Sequence, residues 1–257
     1  ALAAAILIAH PLKAQTAAPS DDNPTPPPLK TSVTVNSVLS SETPAAITTL
    51  DAAQLQLIPG AELDDRLRQI PGFSLFRRSS SVVANPTTQG VSLRATGSTG
   101  ASRTLVLWDG IPINDPFGGW VYWDRIDPSY IDRVEVERGA STSVFGDRAM
   151  GGTVSLFSPA QQPEHLFAQV LRGSEGTADV AAGYSNLWGH WGLSVHSRAF
   201  TTDGYYITPA SIRGSADSKA NVRFAAGNVR LDYLGAHDRF SLHFDALPDE
   251  RHNGTQL

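Results

Sequence analysis

From Glu164 onward the chain drops any helical period, and that change limits its fold more than any other feature. Trp191, Leu193 and Val195 alternate with Ser194, His196 and Arg198, and Phe240, Leu242 and Phe244 alternate with Ser241, His243 and Asp245. A period of two sends successive side chains to opposite faces of a strand. Candidate strands are 165–173, 177–187, 190–201, 219–234 and 238–246. Their connections are short at Gly173 to Gly176, tight at Trp188-Gly189, longer around Asp203 to Ser218, and tight at Ala236 to Asp238. Tight turns alternating with longer loops form the pattern of a transmembrane β-barrel. A soluble antiparallel sandwich would show the same alternation within its strands. One candidate strand breaks parity: Val222, Phe224 and Ala226 share one face, Val229, Leu231 and Tyr233 the other. A bulge at Gly227-Asn228 would reconcile them.

The preceding residues have a different texture. Asp51 can cap a helix over Ala52 to Leu57, which Pro59-Gly60 stops. A second helix fits Glu62 to Ile70, with Leu63, Leu67 and Ile70 on one face and Pro71-Gly72 at its end. Phe73 to Arg77, Gly90 to Arg94, Thr104 to Trp108, Ile131 to Arg138 and Thr153 to Phe157 read as strands. Asp109-Gly110 is a two-residue hairpin signal leading into Ile111-Pro112-Ile113, and Pro112 places that strand at an edge. Asp127-Pro128 starts a short helical turn. Residues 31–160 therefore read as an α+β domain, a small mixed sheet with short helices and long loops. The antiparallel β-strands of residues 164–257 follow it.

Ala1 to Ala9 is an apolar run of signal-peptide length, and small residues follow from Ala14 to Ala18. Residues 1–17 are read as a partial signal peptide and residues 18–30, rich in proline, as a disordered linker. A net charge of -5 argues against a nucleic-acid partner. With no cysteine, disulfides and thiolate metal sites are excluded. The seven histidines show no metal-ligand spacing, so no metal or cofactor is assigned. No catalytic residue is assigned either, because the chain carries no GxSxG or HExxH motif. Gly97 to Gly100, Gly118-Gly119 and Gly151-Gly152 supply turns, and no phosphate loop is present.

Three segments, PGFSLFRRSS, NPTTQGVSLRATGSTGASRTLVLWDGIPINDPFGGWVYW and IDRVEVERGASTSVFGDRAMGGTVSL, closely resemble the plug of TonB-dependent outer-membrane receptors. The resemblance covers residues 31–160 and, more weakly, the first barrel strands beyond. It implies a plug inside a barrel of about 22 strands in the outer membrane. Residues 164–257 hold about five spans of 9–11 residues, an incomplete transmembrane β-barrel, so the chain is expected to be truncated at both ends. The family takes up a scarce ligand such as a siderophore–iron complex, cobalamin or a glycan. Its partner TonB, with an inner-membrane energising complex, grasps a short segment before the plug, and outer-membrane lipid surrounds the barrel.

On that resemblance the TonB box falls at Thr31, Ser32, Val33, Thr34 and Val35, unless these are the plug's own first strand. Plug–barrel ionic contacts are expected from Arg94, Arg133 and Arg138, with Glu135 and Glu137, the plug arginines meeting barrel carboxylates. Trp120, Tyr122 and Trp123 either face the ligand or pack against the barrel wall. The competing readings are a secreted or surface β-rich adhesion module and, more weakly, a secreted hydrolase.

Overall fold

The computed structural model describes residues 46–77, 79–93, 103–139 and 142–255. The expected signal and linker, Thr31 to Val35, Arg94 and Gly97 to Gly100 lie outside the described residues.

The N-terminal part begins with β1 (Ala46–Asp51), α1 (Ala52–Leu57) and α2 (Leu63–Leu67). Asp51 closes a reciprocal cap on α1. Its carboxylate accepts from the Gln54 N–H at 2.8 Å, and the Gln54 side chain accepts from the Asp51 N–H at 3.0 Å. The sequence reading of 62–70 as one helix is corrected at both ends. Glu62 is the N-cap, and after Leu67 the chain tightens into i→i−3 bonds, Gln69 to Arg66 and Ile70 to Leu67. A last turn of that kind suits a helix that must stop before Pro71.

Then follow β2 (Phe73–Leu75), β3 (Val91–Leu93), β4 (Thr104–Trp108), β5 (Ile111–Pro112), β6 (Arg133–Arg138), α3 (Thr142–Phe145) and β7 (Gly152–Phe157). The main sheet runs β1-β6-β7-β4-β5, and only the β4–β7 pairing is parallel. Pro112 sits on the edge strand as expected. Asp109 and Gly110 both have positive φ, 48° and 83°, as the primed two-residue turn requires. The core packs Val106, Val134, Val136, Val154 and Leu156 of the sheet against Leu55, Leu63 and Leu67 of the helices, with Trp123 wholly enclosed.

The second sheet is an antiparallel meander: β8 (His165–Arg172), β9 (Ala178–Trp188), β10 (Trp191–Tyr206), β11 (Asp217–Leu234) and β12 (Arg239–Ala246). A further strand, β13 (Asp249–Thr255), also pairs with β11, beyond a break at Leu247-Pro248. Along β10 the even-numbered residues from Gly192 to Gly204 are buried, with Ser194, His196, Arg198 and Phe200 against the N-terminal part, while the odd-numbered ones face away. The outward face carries exposed Val180, Tyr184 and Trp188 on β9, Trp191 and Val195 on β10, Val229 on β11, and Phe240, Leu242 and Phe244 on β12.

The expected bulge at Gly227-Asn228 does not exist. β11 keeps one unbroken register with β10 from Val222↔Thr202 to Tyr233↔Trp191. The parity break has a different physical cause. Val222 and Phe224 turn inward, onto Val82 and Val83 of the N-terminal part, whereas Val229, Leu231 and Tyr233 turn outward. A single straight strand thus meets two apolar surroundings, on opposite faces, at two heights. The register irregularity lies instead on β10 between Thr202 and Tyr205, where Gly204 has φ 64°.

Candidate functional site at the interface of the two sheets

Buried polar contacts join the N-terminal part to the inward face of the second sheet. Arg198 of β10 holds Glu62 with two bonds, Nη1 to Oε2 at 2.9 Å and Nη2 to Oε1 at 3.0 Å, and both side chains are almost wholly buried. The same guanidinium donates to Asp179 of β9 at 3.0 and 2.8 Å. Burial raises the Glu62 carboxyl, and the Arg198 charge pulls against that shift.

Two residues before Arg198 on the same face, His196 Nε2 lies 2.8 Å from Asp127 Oδ2. The imidazole stacks on the Tyr130 ring at 4.4 Å, and the Tyr130 hydroxyl donates to Ser194 at 2.9 Å. Asp127 is fixed from its own side, accepting from the Ser129 N–H and hydroxyl at 2.8 and 2.7 Å. Burial alone would raise the Asp127 carboxyl; the bond from His196, the Arg198 charge and the Ser129 N–H outweigh it and hold the group below the usual carboxylate range.

Two further arginines complete the set. Arg230 of β11 lies 3.3 Å from Asp109, at the tip of the primed turn, and donates to the Pro159 carbonyl at 3.0 Å. Arg251 of β13 pairs with Asp124 and donates to the Ser81 and Ala84 carbonyls. The 77–84 segment that offers those carbonyls is itself tied to α2, where Arg77 pairs with Asp64 and Asp65, and Ser81 donates to Asp64 at 2.8 Å.

Among the described residues, the ion pairs that cross between the two parts all put the acid on the N-terminal part and the base on the second sheet, the reverse of the expected polarity. Arg133 and Glu135 lie 2.9 Å apart on one face of β6, and Arg133 covers the Phe157 ring. Arg138 donates to the Pro71 carbonyl and the Thr48 hydroxyl, both within the N-terminal part. Glu137, on the same strand, is half-buried. Trp123 belongs to the hydrophobic core and cannot face a ligand; Trp120 and Tyr122 are half-buried. No cluster among the described residues is arranged to hold a metal ion.

Sequence reasoning missed Glu62, Asp124, Asp127, His196, Arg198, Arg230 and Arg251. The available signal was the inward parity of His196 and Arg198, polar side chains alternating with outward apolar ones. Their partners stand 69 and 136 positions away, beyond the reach of any local pattern.

The TonB-dependent receptor plug domain family matches residues 40–153. The chain carries a TonB-dependent receptor plug domain. Among relatives, the ferric aerobactin receptor of Klebsiella pneumoniae is 32% identical over 136 residues, 52% of this chain and 16% of that protein. The vitamin B12 transporter of Vibrio cholerae is 27% identical over 142 residues, 54% of this chain and 23% of that protein. In structure, the ferric enterobactin receptor of Pseudomonas aeruginosa superimposes with a TM-score of 0.57 at 18% identity, over 82% of this chain and 34% of that one. The chain therefore spans only between 16% and 34% of these proteins. At 18% identity the superposition shows a shared fold, and its 82% coverage of this chain reaches past residues 40–153 into the antiparallel strands that follow.

Proposed function

We propose that this chain is the plug and the first wall strands of a TonB-dependent outer-membrane receptor that takes up a scarce ligand. One observation carries the reading. The plug is seated by buried acid–base pairs on the polar face of an antiparallel sheet whose other face is an exposed apolar belt. A soluble sandwich would have no use for that belt, whereas a barrel wall turns such a face to lipid. The ends of the belt nearest the tight turns are rich in aromatics, Trp188, Trp191, Tyr233 and Phe240, as suits a membrane–water boundary. The site assigns the chain no reaction; its chemistry is that of holding and releasing.

The relatives' names point to iron–siderophore complexes or cobalamin as the ligand class. Thr31 to Val35 is the proposed TonB-binding segment, offering its backbone to an edge of the partner. Trp120 and Tyr122 are the proposed ligand contacts of the plug. The test is growth of a receptor-deleted Gram-negative host on single iron or cobalamin sources. Rescue by the full-length gene with TonB present, and none without TonB, supports the reading. Rescue that ignores TonB, or cell-surface adhesion with no uptake from any source, would favour a binding module.

A further inference from the structure

Each of the three wall arginines at the plug interface has two carboxylates, one from each side. Arg198 holds Glu62 of the plug and Asp179 of the neighbouring wall strand. Arg230 holds Asp109 of the plug and, with its Nε at 3.1 Å, Asp232 of its own strand. Arg251 holds Asp124 of the plug and, at 3.3 Å, Asp249 of its own strand. The last two wall acids sit two positions from their arginine, so they share its face of the strand. Among the described residues His196 has no carboxylate partner besides Asp127.

A single buried ion pair is costly to break, because one charge stays behind without a partner. This interface avoids that penalty on the wall side. When the plug leaves, each arginine retains a carboxylate fixed in the wall, while the plug carboxylates move into water. We propose that Asp179, Asp232 and Asp249 are resident counter-ions that keep the plug releasable: they hold the wall arginines neutralised and so lower the barrier to undocking. This inference rests on the reading of the N-terminal part as a plug that moves.

The resident and plug acids of one arginine then have opposite effects. Losing the plug acid loosens the plug. Losing the resident acid commits the arginine to the plug and tightens it. A simple ion-pair network, in which every acid helps to hold the assembly, predicts loosening in both cases.

The experiment uses the full-length protein in lipid vesicles, with Ala226→Cys as probe on a background free of other cysteines. Ala226 lies on the inward wall face and is 4% exposed while the plug is docked. The rate of its reaction with a maleimide in moderate urea, without TonB or ligand, reports undocking. Asp109→Asn and Asp124→Asn should speed labelling, and Asp232→Asn and Asp249→Asn should slow it, each by about threefold or more. Two arginines give two independent comparisons if one variant does not fold, and gel mobility without heating shows whether the wall is intact. Faster labelling in the wall variants, or no change, overturns the proposal. Because neither TonB nor ligand enters this assay, a failed uptake experiment leaves its outcome standing, and the converse also holds.

Discussion

Glu62 stands at the N-cap of α2, where a carboxylate ordinarily accepts a backbone N–H of the first turn, yet its oxygens go to Arg198. The helix is left without a side-chain cap so that the wall can hold it. Asp127 is the contrasting case, satisfying its own turn through Ser129 and the wall through His196 at once. Its carboxyl is depressed in the folded state, so the stabilisation it supplies is present above the unfolded value of about 3.9 and is lost as pH falls through the lower folded value. Melting temperature measured against pH should therefore drop below about pH 4 in the wild type, and Asp127→Asn should flatten that drop while lowering the plateau at neutral pH. Gly152 offers a second residue-scale test. Its φ is 127°, and an added Cβ would fall 2.1 Å from the Glu137 carbonyl oxygen across the β6–β7 pair. Gly152→Ala should destabilise the plug by at least about 1–3 kcal/mol from backbone strain alone, read as a lower urea midpoint.

At the scale of elements, the prediction concerns β11. Its outward residues are apolar at Val229, Leu231 and Tyr233 but polar at Asn221 and Arg223, so membrane depth is written along one strand. Val229→Arg should cost about 2–4 kcal/mol and Asn221→Arg about 0–1 when folding into lipid vesicles is followed by urea titration. Equal costs would remove the belt from this face. The elements that were legible in the sequence are those with local causes: the Asp51 cap, the Asp109-Gly110 turn, and the alternation of β9 to β12. Two strands were not. β1 has only Ile47 and Leu50 as large apolar residues and runs straight into the Asp51 cap; it is a strand because the distant β6 pairs with it. β13 reads Asp-Glu-Arg-His-Asn-Gly-Thr, with no apolar pattern to find. It can be so polar because Arg251 turns inward to Asp124 while Glu250 and His252 lie opposite the outward Arg223 and Asn221.

For the molecule as a whole, the plug–wall contacts could not be read in advance, because they join residues that only the folded topology brings together. In sequence the polar face of the second sheet is indistinguishable from the wet side of any sheet. The first described strand, β1, lies at an edge of the N-terminal sheet. A segment upstream that takes a pull through backbone pairing tolerates changes of side chain but not the loss of an N–H. Val33→Pro should therefore abolish TonB-dependent uptake in the full-length receptor while ligand binding to whole cells is retained; uptake at the wild-type rate would remove Thr31 to Val35 from that role. The outward apolar run of β11 from Ala225 to Tyr233 has one more consequence. At roughly 3.3 Å per residue it covers about 26 Å of strand, less in height once the strand tilts. A hydrocarbon layer thicker than that would have to thin around the wall. On the barrel reading proposed above, so short a run suits a bilayer whose hydrocarbon core is thinner than average.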